Sequence, residues 1–177
     1  MSYASVVMIR EYAPIALIPA AWIMTFATMI YPGLDTYWIQ HMHYFIILFL
    51  TGFTVFSWKQ METPVLDIWR KVIGAGILFT GLGALSFHIA SYTSLLGGLS
   101  LGYWLLAPGM GCYLSAKEMT DYKEAYRGVG LSGIISAILV STVLFDGFDF
   151  VVGLGFALAA VSQTYSIMVA ARLDDNL

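Results

Sequence analysis

The chain has 177 residues, of which 59% are hydrophobic and 11% charged, with a formal net charge of −3 at neutral pH. That is too apolar for a soluble domain, and its eight basic residues form no patch large enough for nucleic acid. The single cysteine, Cys112, excludes an intramolecular disulfide and a thiolate metal cluster, and reads as a small core residue.

Asp, Glu, Lys and Arg are absent from residues 12–34, 36–58, 72–116, 128–145 and 150–171. About 20 apolar residues in a helix cross the hydrocarbon core, so the third window holds two spans and each of the others one. The expected fold is all-α: a single polytopic membrane domain, 1–177, with transmembrane helices at 13–31, 37–57, 71–89, 94–114, 127–145 and 150–171. The first span is too long for a signal-peptide core and is followed at once by another, so it reads as a helix of the mature protein, with Pro14 and Pro19 as candidate kinks. The second opens on "QHMHYF", which sets His41 and His43 one to two turns inside its start. The third ends near His88, where "HIASYTSLLGG" (88–98) interrupts the long window with polar and small residues. The fourth contains "APGMG" (107–111), a candidate break, and "DGFD" (146–149) joins the last two.

The basic residues are sided. Arg10, then Lys59, Arg70 and Lys71, then Lys117, Lys123 and Arg127, and finally Arg172 occupy the N-terminal tail, the second and fourth connections and the C-terminal tail. The positive-inside rule places both termini and these two connections in the cytoplasm, most simply at a plasma (inner) membrane. The three remaining turns carry Asp35, Asp146 and Asp149 and no cation, which makes the external face acidic.

Cutting the chain at the basic connections gives three segments of similar length, roughly 8–61, 68–119 and 125–172, each an outward helix, a short external turn and an inward helix, so three tandem helical hairpins are expected. Counting +6, +10 and +14 from Arg10, Arg70 and Arg127 reaches Ala16, Ala20 and Met24; Gly76, Thr80 and Ala84; and Gly133, Ala137 and Ser141. Residues four apart share a helical face, so each odd helix is expected to present a stripe of small residues to a neighbouring backbone. "SWKQM" (57–61) and "SAKEM" (115–119) end the first two segments alike. With "IR", "WR" and "YR" at the cytoplasmic starts and "YPG" (31–33) in the first external turn, the pattern resembles the HdeD-type membrane proteins. The resemblance implies a non-enzymatic stress protein associated with acid resistance, and supplies no chemistry. Tyr31 stands where that family usually has Trp, and the second hairpin lacks the Pro-Gly.

His41, His43 and His88 all fall in the outer half with Asp35, Asp146 and Asp149, so groups titrating between roughly pH 4 and 7 gather on one side. We therefore expect a proton-sensitive outer face. Each residue also has a plainer duty: histidine is amphipathic at an interface, and Asp in a short turn caps the next helix. His41 and His43 point about 200° apart, so they cannot share an ion. Pairing either with His88 to bind haem is a minor expectation, and no other metal or cofactor is expected. No nucleophile with a base, HExxH, CxxC or phosphate loop points to an enzyme. A small-solute channel or carrier would need polar groups near the midplane, where only residues such as Thr51, Thr80, Ser136 and Gln163 stand. Trp22 and Trp104 read as core filling, and the other aromatics near the span ends as interfacial girdles. Expected partners are membrane lipid and either a second copy or a larger membrane complex, in which the chain would be an accessory subunit.

Overall fold

The computed structural model describes residues 3–31, 33–34, 36–145 and 149–174, with side chains placed for 16–31, 33–34, 36–143 and 149–170. Asp35 and Asp146 lie outside the described residues. The described residues form six α-helices: α1 Tyr3–Ile30, α2 Thr36–Ser57, α3 Pro64–Ser86, α4 Thr93–Glu118, α5 Lys123–Ser141 and α6 Asp149–Asp174. Short 3-10 turns at Trp58–Gln60, Ala90–Tyr92 and Thr142–Phe145 extend or join them, and no strand occurs among the described residues.

Local chemistry explains where the helices begin and end. α3 starts at Pro64, seven residues before the expected 71. Thr63 accepts a hydrogen bond from the Leu66 amide there, and a proline at the first position already has helical φ and no N–H to satisfy. Asp67 pairs with both Arg70 and Lys71 in this first turn, and the Arg70 guanidinium lies 4.8 Å from the Trp58 ring centroid, tying the end of α2 to α3. α1 is continuous through Pro14 and Pro19, and α4 is continuous through "APGMG", so the expected break in α4 does not occur.

Four helical stretches are long and apolar enough to cross a membrane among the described residues: Thr36–Gln60, Pro64–Ser86, Ala90–Glu118 and Asp149–Ala170. Ala16–Ile30 of α1 is a shorter apolar stretch. α5 falls short of that mark because Lys123, Glu124 and Arg127 occupy its start and glycine and serine dilute the rest. Large apolar side chains face outward all round, including Leu48 at 73% and Phe56 at 85% exposure, the inverse of a water-soluble bundle.

Packing follows chain order from α2 to α6, and α1 then lies against α6 while barely touching α2. Each neighbouring pair runs antiparallel. Tyr103 of α4 reaches Val72 near the start of α3, while a β-carbon at Gly83 near the end of α3 would meet Ser100. Tyr126 at the start of α5 donates to the Ser166 carbonyl in the last third of α6, while Ser136 donates to Gly155. One buried cluster joins Trp22, Leu105, Val140, Val152, Phe156 and Ala159; a second joins Cys112, Ala116, Tyr126, Val129 and Val169.

The expected small-residue stripe falls differently on each odd helix. Gly76, Thr80 and Ala84 of α3 are buried; on α5 Gly133 is buried, Ala137 half-buried and Ser141 exposed. On α1, Ala16 and Ala20 are exposed, because that helix turns Ile18, Trp22 and Phe26 toward α6 instead. Backbones approach closely between α4 and α5, where a β-carbon at Gly133 would sit 3.1 Å from the Gly109 α-carbon and one at Gly130 3.0 Å from the Gly109 carbonyl oxygen.

Candidate functional site

Two polar constellations stand out from this apolar frame. The first lies at the end of the bundle where α2 starts and α3 stops. Gln40 and Tyr44 are four residues apart and therefore share a face of α2, where the Gln40 amide donates to the Tyr44 hydroxyl at 2.8 Å. Both reach His88, in the turn after α3: its Nε2 lies 2.7 Å from Gln40 Nε2 and 2.7 Å from the Tyr44 hydroxyl. An amide N–H only donates, so His88 Nε2 must accept, which puts the proton of the neutral ring on Nδ1. Tyr44 and His88 are exposed and Gln40 is half-buried, and the three side chains bridge α2 to the end of α3.

The other two histidines bond to their own helix. His41 Nδ1 donates to the Tyr37 carbonyl at 2.7 Å and its ring lies on Tyr37, 3.9 Å between centroids. His43 Nδ1 donates to the Ile39 carbonyl at 2.9 Å, and its ring packs edge-on against Phe87 at 5.4 Å. A β-carbon at Gly83 would lie 2.9 Å from His43 Nε2, so the imidazole fills the space that this glycine leaves on α3. His41 and His43 thus face different surroundings, as their angular separation requires. For haem, His88 would have to give up Nε2 from Gln40 and Tyr44, or turn to its Nδ1. Among the described residues no three His, Cys, Asp or Glu side chains are placed to hold a metal ion. Asp149 is exposed at the start of α6, on an open, mostly apolar cleft of about 490 Å³ with Phe26, Ile30 and Phe150.

The second constellation crosses the middle of the bundle. Trp22 of α1 donates its indole N–H to Gln163 Oε1 of α6 at 3.0 Å, and Gln163 Nε2 donates to the backbone carbonyl of Trp104 on α4 at 3.0 Å. Trp104 in turn donates its indole N–H to Thr80 Oγ1 of α3 at 2.9 Å, and Thr80 donates to the Gly76 carbonyl at 2.7 Å. Trp22, Gln163 and Thr80 are buried. One chain of hydrogen bonds therefore links α1, α6, α4 and α3, and every polar atom along it is satisfied. The Trp104 carbonyl is available because Pro108, four residues on, has no N–H to give it.

Thr80 and Gln163 stand out in the sequence as polar residues at midplane depth, whereas the indole N–H groups of Trp22 and Trp104 are invisible to a composition argument. The i, i+4 spacing of Gln40 and Tyr44 and the Trp104–Pro108 spacing are the signals that point to the missing partners. No protein-family model, curated protein or solved structure matches the chain.

Proposed function

We propose that this chain is a non-enzymatic integral membrane protein that crosses the bilayer six times, keeps both termini and its basic connections in the cytoplasm, and responds to protons at its outer end. The acid-resistance role implied by the resemblance to HdeD-type proteins is the stress function we assign to it. The observation that carries the reading is His88, whose Nε2 accepts from Gln40 across a helix boundary. A proton on that nitrogen turns an acceptor into a donor facing an N–H group. The Gln40 amide must then let go or turn its carbonyl oxygen to the ring, while a bond to the Tyr44 oxygen survives. The groups facing His88 from α2 are Gln40 and Tyr44, with His41 beyond, 5.9 Å from Tyr44 between centroids. External acid thereby alters the tie between α2 and the end of α3.

Replacing His41, His43 and His88 together with Gln is expected to lower survival of cells at acid external pH while leaving growth at neutral pH unchanged. Unchanged acid survival, with the variant present in the membrane at the normal level, removes the proposal. The second reading, an accessory subunit of a larger membrane complex, is favoured by Ala16 and Ala20, which leave small side chains exposed on α1 where another helix can approach. Partner chains retained in mild detergent would support that reading; a species made of this chain alone would support the first.

A further inference from the structure

The unbroken course of α4 through a proline needs a cause. Pro108 removes the amide that would have bonded the Trp104 carbonyl and leaves a half-buried acceptor inside an apolar bundle. The residue after it, Gly109, has no side chain with which to hold the position, and it faces Gly130 and Gly133 of α5, which have none either. α4 therefore carries a Pro-Gly weak point at its glycine-lined crossing with α5. Intramembrane helices tolerate proline where a neighbouring group satisfies the freed backbone. Here that group is the Gln163 amide, 3.0 Å from the Trp104 oxygen and itself held by Trp22.

We infer that Gln163 is a latch on a hinge in α4: bound to the Trp104 carbonyl it holds the two halves of the helix in line, and its release lets the half beyond Pro108 swing away from α5 and α6. That half packs Cys112 and Ala116, both at 0% exposure, against Tyr126, Val129 and Val169. Opening the hinge uncovers Cys112, and because the chain has one cysteine its thiol reports the motion without added labels. The device couples α1 and α6 to the conformation of α4, a link independent of the histidine cluster.

The test is the rate at which N-ethylmaleimide modifies Cys112 in the full-length protein in native membranes. Gln163→Leu is expected to raise that rate about tenfold, the factor that follows from leaving the Trp104 carbonyl without a partner. The decisive comparison is Pro108→Ala with Gln163→Leu, because an alanine in place of the proline supplies a backbone N–H to the Trp104 carbonyl while Trp22 loses its acceptor in both variants. The double variant is expected to label as slowly as the native protein. If Gln163→Leu labels at the native rate, or if Pro108→Ala fails to slow the double variant, Gln163 is a packing residue and the latch is wrong. Should Gln163→Leu alone fail to fold, rescue of folding by Pro108→Ala supports the latch and failure of rescue overturns it.

Discussion

At the scale of single residues, the glycines divide by what surrounds them. A β-carbon at Gly76 would lie 2.7 Å from the Trp104 ring, the ring whose N–H reaches Thr80. Gly76→Ala must displace that indole and break its bond, so we expect a loss of about 1–3 kcal/mol. Gly128, on the opposite side of α5 from the packed stripe, has open space where a methyl would go. Gly128→Ala is expected to stabilise by about 0.5–1 kcal/mol through backbone entropy and helix propensity. Unfolding of both variants in mixed detergent micelles checks the pair, and equal effects would contradict the placement of Trp104 over Gly76. The histidines divide in the same way: His41 and His43 each bond to a carbonyl of α2, and among the described residues His88 is the one with polar side-chain partners on a helix other than the one it follows.

At the scale of elements, α5 is joined to α6 by two buried hydroxyl-to-carbonyl bonds, Tyr126 to Ser166 at 3.0 Å and Ser136 to Gly155 at 2.7 Å. Hydrogen bonds between helices in a bilayer average about 0.6 kcal/mol. We expect Tyr126→Phe and Ser136→Ala each to cost roughly that amount, and the double variant roughly the sum, because the two sites lie near opposite ends of the contact. Unfolding midpoints in the same micelles measure it. The extent of the helices was largely legible from charge alone, since charges avoid the apolar interior and so outline each span. The early start of α3 was missed because Asp67, Arg70 and Lys71 lie in its first turns, where they pair with one another and do not disturb the helix. The supposed break in α4 was misread because whether a proline interrupts a helix depends on what satisfies the freed carbonyl, and Gln163 is 59 residues away in sequence. The stripe on α1 does not meet a helix of the same chain for a similar reason. Small residues mark where a backbone can approach, but Trp22 and Phe26, each with its ring centroid 5.7 Å from that of Phe156, give α1 a larger apolar face to bury against α6.

At the scale of the molecule, the first helix packs on the last, so the bundle is held by contacts between the ends of the chain as well as along it. The central hydrogen-bond chain spans that junction, joining α1 through α6 to α4 and α3. His88 and its partners sit at one end of this frame. The basic connections sit at the other, where Lys117 lies 5.3 Å from the Tyr113 ring centroid and Arg127 pairs with Glu124 at 2.7 Å. Which end faces outward decides whether the histidine cluster meets external protons. In a Cys112→Ser background, Tyr92→Cys samples the turn between α3 and α4, and Asp121→Cys samples the connection between α4 and α5. Labelling of intact cells with a membrane-impermeant maleimide measures the orientation directly. The account predicts that Tyr92→Cys reacts from outside and Asp121→Cys reacts only after the cells are opened; the reverse pattern, or equal reaction at both, would contradict it.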